Sequence, residues 1–291
     1  MRGPRGAAPA VLFVVVGLSC QEIGASLAVL LFPEVGPLGM VMLRLVFSAA
    51  LLLAIARPTF RGYGRGDWLA VAGFGLVLAT MNGLFYLALE RLPLGITVTI
   101  EVLGPLVLSI VASRRASAWL WALLALAGVV ALAGGGWDRL DPLGVLFALG
   151  AAASWAFYIL ASARVGRTFP RLDGLAWAML IGAAIALPFG ILDTGSALLR
   201  WDLVALGAAV AVLSSTIPYA LELIALRRLP AAAFAILMSL APATAALAGF
   251  LLLGQELSPW ELVGIGLVIA ASIGAVRASA RAAREAAEPL P

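Results

Sequence analysis

Long apolar runs alternate with short polar breaks along the whole chain. About 20 mostly apolar residues carry an α-helix across a hydrocarbon layer ~30 Å thick. Ten segments meet that length: 9–32, 36–56, 68–89, 94–113, 116–135, 142–163, 174–193, 203–226, 231–253 and 258–276. The breaks carry turn or charge chemistry: Pro33-Glu34-Val35-Gly36, Arg57 to Asp67, Leu92-Pro93, Arg114-Arg115, Gly134 to Pro142, Arg164 to Gly174, Leu229-Pro230 and Gly254 to Pro259. Connections this short predict an all-α polytopic bundle with no soluble domain attached. Arg2 and Arg5 precede the first run as in a signal peptide, but the run is too long for one and nine more follow. It is expected to remain as a helix.

Composition narrows the class further. The chain is 63% hydrophobic and 12% charged, against roughly 45–50% and about 25% in soluble domains. Disorder is excluded by the same numbers, and collagen by 31 glycines without a three-residue period. There is no His, no Lys and a single Cys, Cys20. That removes Ser-His-Asp triads, Ser–Lys pairs, His zinc sites, His proton relays and internal disulfides. Gly134-Gly135-Gly136 lacks the Lys of a phosphate loop. No enzyme, metal site or cofactor is expected, and Cys20 reads as a small apolar residue.

All 19 basic residues are Arg, and their placement sets an orientation. With the N-terminus cytoplasmic, 15 of them fall on cytoplasmic segments: Arg2, Arg5, Arg57, Arg61, Arg65, Arg114, Arg115, Arg164, Arg167, Arg171, Arg227, Arg228, Arg277, Arg281 and Arg284. Only Arg91, Arg139 and Arg200 fall opposite, and Arg44 lies within a span. Both termini are therefore expected inside. Trp68, Trp119, Trp121, Trp137, Trp201 and Trp260 sit at span ends, where interfacial anchors belong. Topology accounts for the arginines, so no nucleic-acid partner is expected.

The two halves repeat. Ala88-Leu89-Glu90-Arg91-Leu92-Pro93 with Pro105 matches Ala225-Leu226-Arg227-Arg228-Leu229-Pro230 with Pro242 at one offset, 137. Ser154 against Ser19 and Trp260 against Trp119 correspond more weakly. Five spans per half, an odd number, make the second copy enter from the opposite side. The expectation is ten helices in two inverted five-helix repeats, 1–135 and 142–276, with a cytoplasmic tail at 277–291. Inverted repeats are associated with alternating access around a midplane site.

Four ionisable residues fall within spans, and each needs a partner or water there: Glu22, Arg44, Glu101 and Glu222. Helical spacing aligns Thr97, Glu101 and Pro105, then Ser215, Tyr219 and Glu222, then Asn82 with Tyr86 and Ser154 with Tyr158. Pro105, Pro218 and Pro242 each remove a helix hydrogen bond and leave a carbonyl to face a cavity. One reading is a polar midplane pocket on helices one, three, four, six, eight and nine. Glu101 would hold a cation or proton there, and Arg44 a carboxylate. The other reading makes Arg44 a buried packing pair, Glu222 a partner of Arg227 or Arg228, and the Asn and Tyr residues interhelical hydrogen bonds. Glu22 has no partner visible in sequence and is expected to be structural.

A family resemblance enters through an ordered set of motifs. They are Gly24-Ala25-Ser26-Leu27-Ala28, Leu31-Phe32-Pro33, Leu43-Arg44-Leu45, Met81-Asn82, Leu84-Phe85-Tyr86-Leu87, Pro93-Leu94-Gly95-Ile96, Glu101 with Gly104-Pro105-Leu106, and Ser113-Arg114-Arg115. In the second half they are Trp155-Ala156, Tyr158-Ile159-Leu160, Pro218-Tyr219, Leu221-Glu222, Ile224-Ala225-Leu226, Arg228-Leu229-Pro230, Leu237-Met238-Ser239 and Pro242-Ala243. Together they resemble the EamA-type branch of the drug/metabolite transporter superfamily, and within it the bacterial threonine and homoserine exporters. Glu22 departs from that likeness, because the helix is usually uncharged there.

The resemblance implies a bacterial inner-membrane exporter of small neutral amino acids; a monomer or homodimer is expected. A zwitterion needs an anion, a cation and polar groups for its side chain. Glu101, Arg44, Asn82, Tyr86, Tyr158, Tyr219, Glu222, Ser154 and Trp155 are the candidate substrate residues. Glu101 and Glu222 are the candidates for carrying a proton in antiport, since a desolvated carboxyl group can titrate. The alternative is export of other metabolites or hydrophobic drugs, favoured if Arg44 is sequestered and Trp155 lines the cavity.

Overall fold

The computed structural model describes residues 7–113, 118–132, 140–226, 228 and 231–287. Among them all regular structure is helical: α1 (Ala7–Val35), α2 (Pro37–Ala56), α3 (Arg65–Leu89), α4 (Leu94–Glu101), α5 (Leu103–Ser113), α6 (Ala118–Leu132), α7 (Pro142–Thr168), α8 (Asp173–Thr194), α9 (Trp201–Ala211), α10 (Ile217–Leu226), α11 (Ala231–Met238), α12 (Ala241–Leu253) and α13 (Pro259–Ala287). Eight segments among the described residues are long and apolar enough to cross a membrane, and Trp119–Leu132 and Trp201–Thr216 are two shorter apolar ones. The chain is an all-α polytopic membrane protein of ten helices. The fourth span is α4 with α5, the eighth α9 with α10, and the ninth α11 with α12.

Local chemistry sets the ends. Pro37, Pro142 and Pro259 stand at helix starts, where the missing N–H costs nothing. Asp141 Oδ1 caps α7 by accepting from the Leu143 and Gly144 N–H groups at 2.8 and 3.0 Å. Ser258 and Glu261 form a reciprocal capping box on α13. The first helix runs through Pro33 to Val35, three residues beyond the expected 32, and stops at Gly36 with φ 75°. The last helix runs past 276 to Ala287. Its Ala and Arg residues are strong helix formers, so the segment expected as a separate tail prolongs the tenth helix.

Helix packing follows the repeat. The most extensive pairs are α2 with α8, α3 with α7, α6 with α13, α3 with α8, α1 with α10 and α4 with α12. Each joins the first half to the second. Exchanging the halves maps the second–seventh, fourth–ninth and fifth–tenth pairs onto themselves, and the third–sixth pair onto the first–eighth. Small residues permit the close approach that holds helices together where lipid is as apolar as the side chains. Where α6 crosses α13, a Cβ on Gly128 would lie 2.9 Å from the Gly264 carbonyl, and one on Gly264 2.7 Å from that of Gly128.

The broken spans come from proline. Pro105 and Pro242 lack the N–H groups that would bond to the carbonyls of Glu101 and Met238, and α4 and α11 end at those two residues. The offset between Glu101 and Met238 is again 137. In the eighth span a π-helical stretch, Val212–Thr216, precedes Pro218.

The two ends of the bundle are closed differently. At the Arg-rich end, Tyr63 stacks on Phe169 at 4.1 Å and Phe60 lies 4.0 Å from Trp177 between ring centres. At the opposite end polar contacts dominate. Arg200 bridges Glu34 and Asp202 at 2.9 and 2.8 Å, and Arg91 reaches Asp141 at 3.1 Å. Gln255 Oε1 accepts from the Leu94 N–H at 2.9 Å. Here Asp141 is held below its usual carboxyl range, first by the Gly144 N–H and also by Arg91.

Candidate functional site

A cavity of about 130 Å³ lies between the halves, where the broken fourth and ninth spans meet the first, second, third and sixth. Its polar wall is Gln21, Glu22, Arg44, Asn82, Glu101 and Tyr158, and its apolar wall includes Met81, Phe85, Val98, Trp155 and Met238. Among the described residues, two carboxyl groups and one guanidinium thus face one small space, within electrostatic reach of each other.

Each charge is positioned by a specific local device. Glu101 is the last residue of α4, so the proline break turns it toward the cavity instead of into a continuous helix face. The α4 helix is pinned to α12 at Gly95, where a Cβ would lie 2.8 Å from the Ala246 Cα. Thr97 and Thr99 donate to carbonyls of their own helix region, Pro93 at 3.1 Å and Gly95 at 2.5 Å, so Thr97 does not extend the Glu101 face into a polar stripe.

Arg44 is held by at least three groups. Nε donates to Ser215 Oγ at 3.0 Å, Nη1 to Tyr86 Oη at 3.3 Å, and Nη2 to the Ser214 carbonyl at 3.2 Å. That carbonyl is the one Pro218 leaves without a helical donor, four residues on. The π-helical stretch therefore supplies both Ser215 and an acceptor to Arg44. The guanidinium also lies 5.7 Å from the Tyr86 ring centre. Arg44 is fixed in packing and also faces the cavity.

Among the sequence candidates, Arg44, Asn82, Glu101, Trp155 and Tyr158 come together on the cavity. Asn82 Nδ2 donates to the Leu78 carbonyl at 2.8 Å. Tyr86 is fully buried and supports Arg44 from behind. Ser154 Oγ donates to Gly150 of its own helix at 2.8 Å, and does not border the cavity. The side chains of Tyr219 and Glu222 lie outside the described residues. Glu22, expected to be structural, lines the cavity with its neighbour Gln21. Its charge at mid-span was the available signal; what sequence could not supply was the rotation of an almost wholly apolar helix about its axis.

The similarity to known proteins agrees with this architecture. The EamA-like transporter family matches residues 142–277. The chain is 42% identical over 266 residues to the threonine/homoserine exporter RhtA of Escherichia coli (strain K12), spanning 91% of this chain and 90% of that one. The chain belongs to the EamA-like transporter family. A second RhtA, from Salmonella typhimurium (strain SL1344), is 41% identical over the same shares of the chains. The transporter YwfM of Bacillus subtilis (strain 168) is 32% identical over 77% of this EamA-like chain and 70% of its own. One crystal structure, 22% identical, aligns with a TM-score of 0.58 over 94% of this chain and 99% of its own, which shows the shared fold. The EamA-like match alone covers the second half, whereas the RhtA likeness takes in both halves.

Proposed function

We propose that this protein exports small neutral amino acids, threonine and homoserine first, across the bacterial inner membrane by alternating access. The observation that carries the reading is the cavity between the halves, where Glu101 and Arg44 face each other's space. An α-amino acid offers an ammonium for Glu101 and a carboxylate for Arg44, and a charge-assisted hydrogen bond at each end fixes its orientation. Asn82, Tyr158 and Gln21 are polar groups for a side-chain hydroxyl. The 42% identity to RhtA supports this substrate class. The 15 arginines on one side favour both termini in the cytoplasm, and the repeats 1–135 and 142–276 pack against each other around the site. Protons drive export in this reading. With no His in the chain, a carboxyl group carries them.

The test is counterflow of labelled threonine in proteoliposomes, competed by a panel of amino acids, with and without a pH gradient. Saturable exchange competed by homoserine supports the reading. Uptake indifferent to the gradient replaces antiport with facilitated exchange.

A second reading, export of other metabolites or hydrophobic drugs, draws on two observations. Arg44 already donates to three protein groups, and Trp155, Phe85, Met81 and Met238 form an apolar wall. Relief of growth inhibition by drug efflux but not by amino-acid efflux would favour it.

A further inference from the structure

We infer that Trp155 is the fixed stop that limits substrate length, so that removing its indole admits amino acids with longer side chains. This rests on the export reading above and names the residue that sets its size class. Two observations carry it: the small volume of the cavity, and the way the indole is placed relative to Glu101.

A cavity of about 130 Å³ is well below the roughly 300–1,000 Å³ of sites for drug-sized ligands. Whatever binds there is bounded by the lining, and Trp155 is the largest side chain among the described lining residues. Backbone contact sets the separation of Glu101 and Trp155. Gly104 stands about one turn after Glu101, and Ala152 about one turn before Trp155. A Cβ on Gly104 would collide with the Ala152 carbonyl, so α5 and α7 meet there without a side chain between them. A side chain can rotate away from a longer ligand, whereas a contact of this kind yields only if two helices part. Ala151 and Ala152 are buried, and α7 packs against α3 and α4 as well. The helix that carries the indole is therefore held on several sides.

Other large side chains in the lining are more compliant. Met81 and Met238 are unbranched, with three rotatable bonds, and can re-pack around a ligand. Trp155 moves as one rigid ring system, and it packs against the buried cluster that contains Val98 and Val102 of the fourth span. The equivalent position in the first half, 137 residues earlier, is Leu18, which is 2% exposed and does not border the cavity. The stop belongs to the sixth span alone. A substrate whose ammonium sits at Glu101 has the space between that carboxyl group and the indole for the rest of the molecule. In a fixed site one methylene is worth roughly 10- to 200-fold. Added apolar length strengthens binding wherever there is room for it, so competition that falls with length reports a steric limit.

The experiment is competition of labelled threonine counterflow in proteoliposomes by 2-aminobutyrate, norvaline and norleucine, which differ only in methylene count. In wild type, competition is expected to weaken at least about tenfold from 2-aminobutyrate to norleucine. In Trp155→Ala the series is expected to stay within about threefold, with Trp155→Phe between the two. Each variant is read across its own series, so a lower threonine rate in Trp155→Ala, itself expected, does not enter. Met81→Ala, which removes a side chain able to re-pack, is expected to keep most of the wild-type fall. Equal competition across the series in wild type overturns the inference, and this arm needs no variant to fold. A fall that persists unchanged in Trp155→Ala and Trp155→Phe overturns it, as does Met81→Ala flattening the series as fully as Trp155→Ala. Failure of 2-aminobutyrate to compete overturns it too, because recognition then turns on the hydroxyl group and not on length. Absence of threonine counterflow in wild type overturns the export reading itself.

Discussion

The fourth and ninth spans are built to one plan and carry different chemistry. Both begin after a Leu-Pro pair, both break ahead of a proline, and α4 and α11 end at equivalent residues. In the fourth span that residue is Glu101; in the ninth it is Met238, and both face the cavity. The backbone break is thus a property of the repeat, set by Pro105 and Pro242. The charge is a property of one copy. Inverted symmetry supplies two equivalent breaks beside the cavity, and the asymmetry of side chains gives its lining both charged and apolar residues. Arg44, Asn82 and Glu22 fall on the polar side with Glu101, all from the first half.

Substitutions at the paired positions should separate the two properties. The largest effect is expected at Glu101. Glu101→Gln removes a charge-assisted bond worth about 1.5–3 kcal/mol, which lowers threonine exchange by roughly 10- to 150-fold. Met238→Leu, a volume-conserving change at the equivalent position, should stay within a few-fold; initial rates of counterflow measure both. Next comes the close contact behind the break. A Cβ on Gly104 would collide with the Ala152 carbonyl of α7. Gly104→Ala should cost about 1–3 kcal/mol and lower the melting temperature in detergent. The ninth span already has Ala241 at the equivalent position, and Ala241→Gly should cost only about 0.5–1 kcal/mol.

A smaller effect is expected from the groups that hold Arg44. Tyr86→Phe or Ser215→Ala removes one hydrogen bond of about 0.5–1.5 kcal/mol, so the threonine concentration for half-maximal exchange should rise a few-fold at most about tenfold. The double variant should exceed either single one. The smallest effect is at the surface, where Asp141 caps α7 and meets Arg91 close to the start of α4. Its folded carboxyl lies below its usual range, so its contribution to stability is present above that range and is lost as pH falls through the lowered value. Thermal melts from neutral to strongly acid pH should show wild type and Asp141→Ala converging at the acid end.

Much of this molecule was legible in its sequence, because the bilayer imposes a length and a polarity on each helix. The second, fourth and ninth spans begin or end within a residue of the expected boundaries, and the breaks at Pro105 and Pro242 follow from the missing N–H alone. The repeat was legible as Leu-Pro and Pro at one offset. Side-chain direction was not. Tyr86 shares a helix face with Asn82, yet one turns behind Arg44 and the other faces the cavity. Ser154 satisfies its hydroxyl on its own helix, an option always open to a serine and invisible to spacing. The place of Glu22 on the cavity was hidden because α1 is apolar almost all round, and only its neighbours decide which way the glutamate points. The π-helical stretch was also hidden: Pro218 predicted a loosened backbone, but not that the released Ser214 carbonyl would be taken by an arginine from the second span.

The most direct test of a binding site made asymmetric within a symmetric fold is threonine counterflow into proteoliposomes, run in parallel on wild type, Glu101→Gln and Met238→Leu at equal reconstituted protein. The account predicts saturable, homoserine-sensitive exchange for wild type and Met238→Leu, and exchange near background for Glu101→Gln. Full exchange by a correctly inserted Glu101→Gln variant would contradict it.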